Sequence, residues 1–167
     1  MYISKKIIFI IKNRNNPFVN EFFRYYDNII LHDLKLYDHK TRYIEEQNIK
    51  KQCSKLIGII VNGNKSEIPK LIEIIKTPIL KYRIKDTNFP DFFIKHHILN
   101  MAIHALGYIL TKNKQDTEVK NMVPTLIYVI NKINIMPLAS CTLDSKNFFL
   151  NNISAYFTVD KQQTITS

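Results

Sequence analysis

Few side chains in this sequence are suited to metal ligation, proton transfer or nucleophilic attack. His96 and His97 stand side by side, His104 follows in the same apolar segment, and Cys53 and Cys141 lie far apart in the chain. On an extended strand, adjacent histidines point to opposite faces and cannot share one metal ion. No carboxylate or cysteine stands near them at ligand spacing, which argues against a metal site. Neither cysteine has a base beside it in sequence, so both read as buried, inert thiols. They are also too few for a disulfide framework, which makes a reducing cytosol the natural compartment. His104 interrupts an apolar run at an expected strand exit, where it could face a cofactor or substrate; a lone histidine there is more often structural. Asp33 and Asp38 flank Tyr37, but nothing else in sequence supports a general base. Arg14 and the free amides near Asn16 could meet a phosphate at an electropositive helix start. The same residues read equally well as a loop and an N-cap. No P-loop and no G-x-G-x-x-G fingerprint is present.

The elements that must position these groups read as alternating strands and helices. Lys6–Ile11 (KIIFII) is a continuous apolar, β-branched run, as expected of a strand buried on both faces of a parallel sheet. Asn16 is a good N-cap and Pro17 a good first helical residue, followed by Phe18, Phe22, Phe23 and Tyr26 at helical spacing. That aromatic stripe, with Tyr25, reads as core. Ile29–Leu31 is a short second strand, Glu45–Ser54 a second helix, Leu56–Val61 a third strand and Ile68–Ile75 a helix entered beside Pro69. Strands alternating with helices argue for βαβ units and a doubly wound sheet. Ile98–Leu110 is a helix by length or a strand by position. Val119–Lys132 reads as a helix with Pro124 in its first turn, Ile133–Leu143 as a last strand, and Asn147–Phe157 as a closing helix. The expected organisation is one domain over residues 1–160, with a polar tail at 161–167.

Several of these segments resemble the flavodoxin-like NAD(P)H:quinone oxidoreductases, particularly the ancillary subunits of the glutathione-regulated potassium-efflux system. KKIIFII is similar to the family's first strand, LHDLKLYD (31–38) to a strand exit, IEEQNIKK (44–51) to a helix opening, and SEIPKLIE to a helix entry. HHILNMAIHALG (96–107) is similar to a fourth strand and INIMPLASCTL to the last. The resemblance implies an α/β flavodoxin-like three-layer sandwich, its five-stranded parallel sheet ordered 2-1-3-4-5 and flanked by helices. It further implies FMN at the carboxyl ends of the strands, NAD(P)H as reductant, a quinone substrate, a homodimer and docking on a membrane antiporter. Carried onto this chain, the flavin contacts fall on Asn13, Arg14, Asn15, Asn16 and Asn20 of the first loop and helix. The others fall on Asn64, Lys65 and Ser66 of the second loop, and on His104 and Gly107 of the third. The sequence departs from the family where Lys65 and Ser66 replace flavin-stacking aromatics, and where Glu73, Ile75 and Thr77 replace a lysine, a tryptophan and an aspartate. The alternative is a non-catalytic binding subunit of the same fold that has lost FMN.

Composition sets outer limits. At 167 residues, with 46% hydrophobic and 23% charged side chains, the chain is long and apolar enough to bury a core. The net charge of +10 admits nucleic acid or an acidic surface as partner, but the lysines and arginines are scattered and interleave with no aromatic platform. Nucleic acid is therefore the third reading. Ile7–Ile11 and Ile98–Leu110 are both too short to span a bilayer. The expected location is the cytoplasm, with attachment to the inner face of the plasma membrane only through a partner.

Overall fold

The computed structural model describes residues 2–37, 39–76, 89–133 and 140–157. Among them are seven α-helices and no strand: α1 (Tyr2–Lys12), α2 (Pro17–Leu31), α3 (His39–Asn62), α4 (Ile68–Lys76), α5 (Phe89–Lys112), α6 (Thr117–Asn131) and α7 (Ser140–Tyr156). Short 3-10 turns at Asp33–Leu36 and Lys65–Glu67 lead out of α2 and into α4. The chain is an all-α bundle. This overturns the expected α/β flavodoxin-like sandwich and its five-stranded sheet.

Each expected strand is found inside a helix or outside the described residues. Lys6–Ile11 lies in α1, Ile29–Leu31 completes α2, and Leu56–Val61 completes α3. Ile98–Leu110 is the heart of α5, and the part of Ile133–Leu143 from residue 140 onward opens α7. Positions 134–139 and the tail at 161–167 lie outside the described residues. The physical reason is that an unbroken apolar run fits a strand or a helix buried on every side equally well. Length decides between them, and α5 runs for 24 residues.

α5 is the axis of the bundle. Every residue from Ile98 to Thr111 is buried, because α2, α3, α4, α6 and α7 all pack on it. A helix apolar all round is stable only in such a sleeve. Around it stand amphipathic helices. α2 begins as its sequence dictates: Asn16 Oδ1 accepts from the Phe18 amide at 3.0 Å and Pro17 takes the first turn. Its buried face, Phe18, Phe22, Tyr25 and Ile29, follows the three-to-four spacing of one helix side. α6 is capped by Asp116, whose Oδ1 accepts from the Val119 amide at 3.2 Å, and buries Val119, Val123, Leu126 and Ile130. Pro124 lies inside α6 rather than in its first turn, on the exposed side, where water can satisfy the carbonyl it leaves free.

Two glycines set the spacing of these elements. Gly63 ends α3 with φ +65°, a left-handed conformation that favours glycine, and its carbonyl accepts from Asn113 Nδ2 at 3.0 Å. Gly107 lets α2 approach α5: a Cβ there would land inside the van der Waals shell of the Phe18 ring, which is fully buried.

Candidate functional site

The residues expected to hold a flavin are distributed over two loops and the core. Asn13 Nδ2 donates to the Phe9 carbonyl at 2.9 Å, and its Oδ1 accepts from Tyr108 Oη at 3.3 Å. Asn16 caps α2 and donates from Nδ2 to Thr111 Oγ1 at 3.1 Å. Asn20 Nδ2 donates to the Arg14 carbonyl at 3.1 Å, closing the turn, while Arg14 and Asn15 are exposed. In the second loop, Asn64 Nδ2 donates to Asn62 Oδ1 at 2.9 Å and Ser66 is exposed. Lys65 pairs with Asp116 at 2.8 Å and Glu118 at 2.9 Å; these hydrogen bonds raise its ammonium to about 12. Both loops therefore close on the carboxyl end of α5, where Asn13, Asn16, Asn20, Asn64 and Lys65 are occupied with α1, α5, α6 and their own turns. His104 and Gly107 lie inside the core, with His104 fully buried and Gly107 against Phe18. A ligand could touch them only by displacing Phe18 or its neighbours.

The histidines belong instead to a polar seam that runs along α5 toward α2 and α7. The Tyr25 ring stands between two of them, with centroids 5.5 Å from His97 and 5.5 Å from His104. At the inner end, His104 Nε2 lies 3.2 Å from Ser145 Oγ, Ser145 Oγ donates to Tyr25 Oη at 3.1 Å, and Tyr25 Oη donates to the Cys141 carbonyl at 3.3 Å. This chain of donors is satisfied when His104 carries its proton on Nε2, which leaves Nδ1 as an acceptor without a partner. Burial, aided by the charge of Arg24, pushes the His104 imidazole down to about 3. It is a neutral core residue.

The outer end differs. His97 donates from Nδ1 to Asp33 Oδ2 at 2.5 Å, with side chains only 12% and 9% exposed. Burial opposes a charge on His97, but the Asp33 hydrogen bond and the Cys141 sulfur outweigh it and raise the imidazole to about 9. Burial alone would push the Cys141 thiol up; the nearby His97 imidazolium and the polar side chains of Asn100 and Thr142 bring it below its ordinary value. Cys141 is the second residue of α7, where free amides further favour a thiolate. It is half-buried. The expectation of two buried, inert thiols therefore holds for Cys53, which burial pushes up to about 12, and fails for Cys141. The sequence carried no signal for this meeting, because Asp33 and His97 are 64 residues apart. The three groups form a row with His97 in the middle rather than a cage. Among the described residues, no set of three or more potential ligands is placed to hold a metal ion.

On the surface, α1 is unusual. Its inner side reaches the core through a few side chains: Phe9 meets Tyr108 edge-on at 5.6 Å and Phe23 at 6.3 Å, and Lys6 Nζ sits 4.0 Å over the Tyr26 ring. Its outer side carries Ile7, Ile8 and Ile11, exposed by 49%, 51% and 58%. Lys5 and Lys12 flank them, Arg14 follows in the turn, and α1 contains no acidic residue. Tyr43 and Ile44, neighbours near the start of α3, are also exposed, and Leu36, Val61 and Leu143 stand singly elsewhere. A groove of 530 Å³ between α4 and α6 is lined by Ile72, Met122 and Leu126, with Glu118, Asn121 and Thr125. No helix among the described residues is long and apolar enough to cross a membrane.

No protein-family model, curated protein or solved structure matches this chain.

Proposed function

We propose that the chain is a protein-interaction module, and that the outer face of α1 docks against an apolar helix flanked by acidic residues on a partner protein. One observation carries this reading: a peripheral helix that already packs on one side presents three adjacent, half-exposed isoleucines on the other. A surface helix normally turns polar side chains to water. Burying the exposed halves of these isoleucines is worth roughly 1 kcal/mol each, which suits a transient contact. The lysine rim and the net charge of +10 favour an acidic partner over a second copy of the same basic chain. Docking through α1 follows the helix-against-helix mode, in which positions three and four apart supply the anchors. The FMN, NAD(P)H and quinone reading drew its support from a sheet, and without one its expected contacts fall on caps, ion pairs and core. In the proposed role the chain works in the cytoplasm, and reaches the inner face of the plasma membrane only where its partner does.

The test is fluorescence anisotropy with a labelled synthetic helix bearing leucines at three- and four-residue spacing between glutamates. Saturable micromolar binding is expected, falling at high salt and at least tenfold weaker in an Ile8→Glu/Ile11→Glu variant of unchanged helicity. Equal binding by the variant, or none by the wild type, overturns the proposal. Two further outcomes would replace the partner class: a dimer in sedimentation that the variant abolishes, or binding confined to anionic vesicles.

A further inference from the structure

Buried polar atoms without a partner gather at one place in this fold. Among the described residues, the buried side-chain atoms that meet no hydrogen-bonding group are Asn100 Oδ1 and Nδ2, His104 Nδ1, Thr142 Oγ1 and Glu67 Oε2. Glu67 Oε2 has the Lys70 ammonium at 3.1 Å, so the other four are the ones without a counterpart. They belong to three side chains of α5 and α7, none more than 1% exposed.

The contacts of α2 show how these side chains are arranged. Phe18 meets both Gly107 and Phe148; further along α2, Tyr25 meets both His104 and Ser145. α5 and α7 therefore run parallel. His104 Nε2 lies 3.2 Å from Ser145 Oγ, and one helical turn back from that contact stand Asn100 on α5 and Thr142 on α7. The unpartnered atoms thus share one stretch of the α5–α7 seam. Native interiors rarely leave such atoms unpaired, and internal water is their usual partner.

Their chemistry suits water. His104 Nδ1 accepts, because Nε2 carries the proton; Asn100 offers an acceptor oxygen and a donor amide, and Thr142 a hydroxyl. An ion would find no counter-charge on these three neutral side chains. The Phe148 ring, 5.3 Å from the His104 ring, and the Tyr25 ring stacked on it at 5.5 Å leave little room for a larger molecule.

We propose that α5 and α7 enclose a binding site for internal water, held by Asn100, His104 and Thr142, which clasps the two helices together. Water donates to His104 Nδ1 and Asn100 Oδ1, and accepts from the Asn100 amide and the Thr142 hydroxyl. Through His104 it joins the chain that runs from Ser145 to Tyr25 and the Cys141 carbonyl, so that one network ties α2, α5 and α7.

The experiment is water-selective nuclear Overhauser spectroscopy on the full, isotope-labelled chain. The Asn100 side-chain amide should show cross peaks to water that change sign between laboratory-frame and rotating-frame spectra, as a long-lived internal water requires. The amide of exposed Asn151 should show none of that kind. Urea unfolding of Thr142→Val is the second readout, because valine keeps the shape and deletes the hydroxyl. Deleting a water-bound hydroxyl should lower the folding equilibrium constant roughly fivefold, whereas deleting an unpaired one should raise it. Absence of the Asn100 cross peaks, or an unchanged or raised urea midpoint for Thr142→Val, overturns the proposal. The spectra need only the wild-type protein, so they decide the matter even where the variant fails to fold.

Discussion

His97 and His104 lie seven residues apart on one helix and lean against the same tyrosine ring, yet they hold opposite charge states. At the inner end, His104 meets Phe18, Phe148, Tyr25 and one serine hydroxyl, and no group compensates a positive charge. At the outer end, His97 meets a carboxylate and a sulfur. Both are largely withdrawn from water, so burial alone does not decide between them. The partner does: desolvation penalises both imidazoliums, and only the Asp33–Cys141 pair offsets it. The inner end is core, and the outer end holds a buried charge.

The contrast breaks most severely where the inner end is tightest. Gly107→Val should force the Phe18 ring out of the core beside His104 and destabilise the fold by about 3 kcal/mol, seen as a large drop in the urea midpoint. A midpoint within a few tenths molar of wild type would mean that α2 and α5 are not in such close contact.

The outer end should respond to loss of its carboxylate. Asp33→Asn removes a charge-assisted hydrogen bond worth about 2 kcal/mol near neutral pH. The His97 resonance, held at about 9 in the wild type, should then titrate lower, because Cys141 alone is left to oppose burial. A value that stays near 9 would assign the shift to Cys141 instead.

A smaller effect isolates His104 in acid. Its folded value, about 3, lies below the ordinary 6.5, so the unfolded chain takes up a proton that the folded chain refuses. The His104 contribution is therefore full above pH 6.5 and erodes as pH falls toward 3, whereas that of His97, raised to about 9, is full below 6.5 and is lost as pH rises toward 9. Glu67 and Asp116, held below their ordinary values of 4.5 and 3.8, add their own losses only in stronger acid. Between pH 6.5 and 5 the slope belongs mainly to His104, and His104→Gln should flatten it in denaturant titrations. An unchanged slope would place the acid sensitivity elsewhere.

Gly58→Ala is the mildest change and serves as a control remote from both histidines. A Cβ at Gly58 meets nothing, and the position is exposed within α3, so helix propensity alone should act. The variant should gain about 0.5–1 kcal/mol with no change in the His97 titration. A loss of stability would argue against a continuous α3.

Much of the helical scaffold was legible in the sequence. The Asn16–Pro17 start of α2, its phenylalanine stripe, and the helices entered near Pro69 and Val119 were all visible, because caps and apolar spacing are local properties. The misread segments share one feature. Lys6–Ile11 and Leu56–Val61 are dense in isoleucine and leucine, so their own residues show no helical period; Ile98–Leu110 is equally apolar, and there length favoured the helix that position opposed. For α3 the missing signal lay upstream: Ile49, Cys53, Leu56 and Ile60 keep one buried face across the polar half and the apolar half alike. For α5 no such signal exists, because a helix buried on all sides needs no polar face. The resemblance to a flavin family, built on those apolar runs, failed with them as a guide to the fold.

Local chemistry by itself thus determined where helices start and which aromatic face turns inward. Tertiary structure alone decided that α5 is a sleeved axis rather than a strand, and that Ile7, Ile8 and Ile11 remain outside the core. It alone brought Asp33, His97 and Cys141 from three separate elements into one row. Caps and periods are written within a few residues, whereas burial and charge depend on neighbours that only the folded chain assembles.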